Sequence, residues 1–125
     1  TSGTNAVATS ETTASATYTD LATSGPAVTV TIGTNGNALV TIGAELASSS
    51  ASLTVYMDFE ASSGNTRAAS DTTCIETQNL DEIRVSSTTL LTGLTAASTV
   101  FTAKYKADGG ATGTFANRSL SVLTW

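Results

Sequence analysis

Apolar and polar residues alternate in short runs along most of this chain, which is the period of a strand with one buried face. In residues 27–42 Val28, Val30 and Ile32 share one side, and Val40 and Ile42 continue an inward face after Asn35-Gly36. That pair tolerates positive φ, so the stretch predicts a β-hairpin. Residues 53–59 give the cleanest alternation, with Leu53, Val55, Met57 and Phe59 inward and Thr54, Tyr56 and Asp58 outward. Shorter strands are expected at 15–19, 67–70 and 74–77, and Val85 with Leu90 and Leu91 marks another. Near the end, Phe101, Ala103 and Tyr105 compete with Val100 and Thr102 for the interior, and Leu120 and Val122 compete with Leu123 and Trp125.

About eight such runs separated by Gly, Asn, Asp and Ser clusters predict a single antiparallel β-sandwich, jelly-roll or immunoglobulin-like. No segment keeps an i, i+3, i+4 apolar pattern, so helix should be minor. The expected core is Val30, Ile32, Val40, Ile42, Leu53, Val55, Met57, Phe59, Phe101 and Leu120. Residues 1–14 are small and polar without periodicity and read as a flexible arm, leaving 15–125 as the sandwich domain.

Composition narrows the partners. The chain has 125 residues, enough for one sizeable core, and its charged fraction of 12% is roughly half the ~25% of an average domain. Ser and Thr make up about a third of it, so hydroxyls stand where charges usually do. A net charge of −5 argues against phosphate-rich partners, so neither nucleic acid nor an anionic membrane is expected. No apolar run approaches the length of a membrane-spanning helix. The start at Thr1 fits removal of an initiator Met, and equally a trimmed or processed chain.

Candidate chemistry is sparse. With no histidine, the Ser-His-Asp and Cys-His arrangements and His-ligated zinc are excluded. Cys74 is the sole cysteine, so no intrachain disulfide forms, and a free cysteine in a β-protein is usually a small buried hydrophobe. Asp58 and Glu60 share a strand face and match, unspecifically, a glycosidase-like carboxylate pair or calcium ligands. Ordinary alternation explains them better, as a solvated turn explains Asp81-Glu82 and Asp108. The Gly-rich loops "GTNGN" and "DGGATG" precede no helix and read as turns. No catalytic residue, cofactor or metal is therefore expected, and the chain reads as a non-enzymatic interaction protein.

The stretches "YTDLATSGPAVTVTIGTNGNALVTI" from Tyr18 and "FTAKYKADGGATGTFANRSLSVL" from Phe101 resemble a small β-sandwich module of tailed-bacteriophage virion proteins. The module recurs in capsid-associated, tail-fibre and minor-tail proteins, and the likeness spans roughly residues 14–123, weakest over 60–85. It implies a virion structural protein assembled in the bacterial host cytoplasm. If Thr1 is the mature start, a free-standing chain of this size is similar to capsid decoration proteins, which bind a finished head and reinforce it. The implied partner is the major capsid protein or another virion protein, and head sites of this kind imply a homotrimer. Alternatives are a tail-fibre or minor-tail adhesin and a small carbohydrate-active enzyme using Asp58 and Glu60. The expected protein contacts are Val7, Thr9, Glu11 and Thr13 along the arm, with Tyr18, Leu123 and Trp125 on the domain.

Overall fold

A computed structural model describes residues 2–125. The strands are β1 (Ser2–Val7), β2 (Glu11–Thr13), β3 (Ala27–Thr31), β4 (Ala38–Ser48), β5 (Val55–Ser63), β6 (Ile75–Thr77), β7 (Ile83–Leu91), β8 (Ser98–Ala107) and β9 (Gly113–Thr124), with no helix among the described residues. They form two antiparallel sheets packed as a sandwich. The first runs β1-β9-β4-β7, with β2 also on β9, and the second runs β3-β8-β5-β6. The fold is thus the single β-sandwich that the alternation predicts.

The core lies between the sheets because each strand sends one face inward. Val40, Ile42, Leu46, Phe115 and Leu120 of the first sheet meet Val30, Val55, Met57, Phe59 and Phe101 of the second, all buried. The rings of Phe59 and Phe101 lie 6.1 Å apart and those of Tyr105 and Phe115 4.9 Å apart, tilted as their quadrupoles prefer. The competition within β8 and β9 is settled by this packing: Phe101, Ala103, Tyr105, Leu120 and Val122 are buried, while Leu123 and Trp125 stay exposed. Phe115 and Leu120 are an odd number of residues apart and still both face inward. A bulge makes this possible: Gly43 pairs with Ser119 but Glu45 with Ala116, so one residue of β4 opposes two of β9, and Asn117 takes a φ of 46°.

Several sequence expectations are corrected. Residues 27–42 do not form a hairpin, because β3 pairs with β8 and β4 pairs with β7 and β9. The inward faces are those the alternation marks, but the two runs lie in different sheets instead of side by side. Gly36 still turns the chain, with φ of 67° and its carbonyl accepting from Leu94 N at 3.0 Å. From Ser2 to Thr13 the expected arm is part of the sandwich, and Thr1 lies outside the described residues. β1 runs antiparallel to β9 from Ser2 opposite Leu123 to Val7 opposite Arg118, and β2 pairs Glu11 with Phe115. These segments need no core of their own because a neighbouring strand satisfies their backbone groups. Of the expected strand at 15–19 only a bridge from Thr19 to Tyr105 forms, and of that at 67–70 only a bridge from Arg67 to Ala61. Leu53, placed in the core, precedes β5 and is half-buried against the core's edge.

Candidate protein interface

The two outer sheet faces differ in kind. On the second sheet, residues between β5 and β6 fold over the outside of β5 and meet charged side chains there. Asp58, expected to face solvent, is fully buried. Its carboxylate accepts from Ser70 N at 2.7 Å, from Thr73 Oγ1 at 3.0 Å and from Arg67 Nη1 at 3.2 Å. The Arg67 guanidinium also lies over the Phe59 ring, 4.0 Å from its centroid. Glu60 instead pairs with Lys104 at 3.4 Å, so the two carboxylates are engaged separately.

Beside this clamp, Lys106 lies over the rings of Tyr18 and Tyr56 and reaches Asp71 at 2.8 Å. Tyr18 donates to Asp71 at 2.9 Å, and Tyr56 to Asp108 at 2.9 Å. Burial, with the acceptor bond to Asp71 added, pushes the Tyr18 phenol far up. Asp71 is held below its usual range, chiefly by the Lys106 bond. Burial also pushes the Cys74 thiol up, and Glu76 and Asp71 add to it, so Cys74 is a poor thiolate. Asp58, Arg67, Asp71, Tyr18 and Lys106 thus answer one another within the chain, and the cluster tacks down the residues that cross β5.

The outer face of the first sheet is built otherwise. The register places Ser2, Leu123, Leu39 and Leu90 in one row across β1, β9, β4 and β7. Thr4, Ser121, Thr41 and Thr88 form the next, and Ala6, Ser119, Gly43 and Ser86 the one after. None of these residues is charged. Thr4 and Ser121 hydroxyls are 3.0 Å apart and those of Thr41 and Thr88 2.9 Å apart, so they bond along their row. A side chain at Gly43 would press on Ser119 and Ser86, so glycine keeps the third row flat. Leu123 and Leu90 are 51% and 54% exposed, and Trp125, at the end of β9, is 44% exposed. A shallow depression lies over the first two rows between Ser2, Leu39 and Leu123. Charge returns only beyond the third row, where Arg84 donates to the Asn117 carbonyl at 2.6 Å and Asn117 donates to Glu45 at 3.1 Å.

The residues expected to make protein contacts separate into two groups. Leu123 and Trp125 stand on the uncharged face. Thr9 is exposed between β1 and β2, and Val7 is half-buried opposite Arg118. Glu11, Thr13 and Tyr18 are occupied within the chain. Glu11 pairs with fully buried Arg118 at 2.5 Å and accepts from Thr23 N and Oγ1. Burial raises the Glu11 pKa, but the Thr23 bonds and Arg118 outweigh it and leave it lowered. Thr13 Oγ1 accepts from Ser15 N, and Tyr18 is bonded to Asp71. Leu39, Leu90 and the hydroxyl row were not foreseen. Their outward alternation is visible in sequence, but their alignment depends on which strands become neighbours. The chain matches no protein-family model and no curated protein.

Proposed function

We propose that this chain is a virion structural protein of a tailed bacteriophage, a capsid decoration protein that binds and reinforces the head surface. The observation that supports this reading is the flat, uncharged outer face of β1, β9, β4 and β7, with Leu39, Leu90, Leu123 and Trp125 at one end. Such a face docks on protein with little desolvation cost, because no unpaired charge is buried and the hydroxyls already bond to one another. The acidic balance of −5 suits an outer surface that does not meet DNA. The phage-module resemblance supplies the partner, the major capsid protein, and a threefold grouping of copies on the head.

Electron cryo-microscopy of heads mixed with purified protein tests this, paired with Leu123→Asp and Leu90→Asp. Expected is added density on the head for the parent chain, lost in both variants, with melting curves unchanged because both side chains are exposed. Density confined to the tail would overturn the head reading in favour of an adhesin. Undiminished head binding by both aspartate variants would remove this face from the contact.

A further inference from the structure

A sandwich has four sheet edges, and in this one β7 is the longest edge strand. β3 is short, and its carbonyls are capped by side chains, Ala27 O by Asn5 Nδ2 at 3.0 Å and Thr31 O by Thr124 Oγ1 at 2.9 Å. β1, on the same side, has Ala6 N bonded to the Asn5 side chain. β6 is three residues long with Glu76 at its centre. β7 is different. It runs nine residues, pairs with β4 in unbroken register from Ile83 to Leu91, and among the described residues pairs with no second strand. Proteins usually protect such an edge with several charges, proline or a bulge. β7 has one charge, Arg84, no proline and no bulge. Its inward side is also thinly covered, because β6 across the sandwich is only a third as long: Ile83 is 36% exposed, and Val85 and Leu91 are half-buried.

We infer that the open edge of β7 is a homodimer seam, taking β7 of a second copy in antiparallel pairing centred on Ser87. The occupant is read from the strand itself, "IRVSSTTLL": about Ser87, Ile83 and Leu91 are both aliphatic, Ser86 and Thr88 both carry hydroxyls and Val85 and Thr89 are both β-branched, while Arg84 and Leu90 differ. In that register Ile83 faces Leu91 of the second copy, aliphatic against aliphatic, Ser86 faces Thr88, hydroxyl against hydroxyl, and Val85 faces Thr89, two β-branched side chains of nearly equal shape. The lone cation Arg84 falls opposite Leu90, so no like charges oppose each other, although each copy has a net charge of −5. A twofold contact must be self-complementary in this way, and a strand from an unrelated protein has no reason to be. The seam continues the β1-β9-β4-β7 sheet into its twin over a ladder of about 30 Å and brings a second Ile83, Val85 and Leu91 against the first. It rests on the edge alone, and on a closed shell it would join copies from neighbouring threefold groups.

Sedimentation equilibrium from micromolar to millimolar concentration tests the seam with exposed-face variants. The parent chain should dimerise, Ser86→Lys with Thr88→Lys should be monomeric, and Ser86→Lys with Thr88→Glu should dimerise again, since each Lys then opposes a Glu. In a Cys74→Ser background, oxidation should cross-link Ser87→Cys and leave Ser86→Cys and Thr88→Cys largely single, because only the central residue meets itself. A parent chain that stays monomeric at millimolar concentration overturns the proposal. So does a dimer indifferent to the double lysine variant, and equal cross-linking at all three positions overturns the register.

Discussion

Asp58→Asn separates a structural carboxylate from a catalytic one. The parent carboxylate has no exposure and accepts from Arg67, Ser70 N and Thr73, so its charge is answered at every side. Asparagine keeps the shape and can still accept from Ser70 N. Its amide nitrogen, however, must point donor hydrogens toward Thr73 or the Arg67 guanidinium, which itself donates to Phe59 O at 2.5 Å. Removing one member of a buried pair costs about 3–5 kcal/mol. Arg67 keeps 19% side-chain exposure and recovers some hydration, so about 2–4 kcal/mol is expected here. For a domain of this size that lowers the melting temperature by about 8–16 °C.

Thermal melts followed by circular dichroism, with urea titrations as a check on two-state behaviour, measure it. Glu60→Gln is the control: its side chain is 38% exposed and paired only at 3.4 Å, so a change within about 0.5 kcal/mol is expected. Limited proteolysis should cut the Asp58→Asn chain faster within residues 64–73, which the carboxylate fastens. If Asp58→Asn melts with the parent while abolishing turnover of a surface polysaccharide, Asp58 is a catalytic group and the clamp reasoning is wrong.

Removing residues 1–13 should lower the melting temperature by about 10 °C or more, because β1 and β2 leave β9 unpaired on that side and the Arg118 guanidinium loses its anion, keeping only the Thr23 and Gly25 carbonyls. Adding Arg118→Met to that truncated chain should recover part of the loss, and melting unchanged by the truncation would show the pairing with β9 to be dispensable. In acid, Glu11 and Asp71 have folded pKa values below their usual 4.5 and 3.8, so the stability they supply is complete above those values and is lost as pH falls through the folded ones. The melting temperature should stay level from pH 7 to about 5 and fall below about 4.5; a melt that rises toward pH 3 contradicts both assignments.

Alternation alone determined that this chain is a β-sandwich and which residues face its core, since the two-residue period of a strand is a local property written in Val28-Val30-Ile32 or Val55-Met57-Phe59. It also showed that either Leu120 and Val122 or Leu123 and Trp125 must be surplus to that core, because only one face of β9 can enter it, and the packing left Leu123 and Trp125 outside. Pairing was not legible in the same way. Asn35-Gly36 signals a turn, yet whether a turn joins strands in one sheet or passes between two depends on partners distant in sequence, here β8 for β3 and β9 for β4. The same dependence hid the rest. Residues 1–14 read as an arm because their partner lies at the far end of the chain. Asp58 read as a solvated acid because Arg67 and Thr73 reach it only when the intervening residues fold back over β5. The uncharged rows and the open edge of β7 exist only once β1, β9, β4 and β7 stand in order, since strand neighbours are chosen by the whole core and not by any one segment.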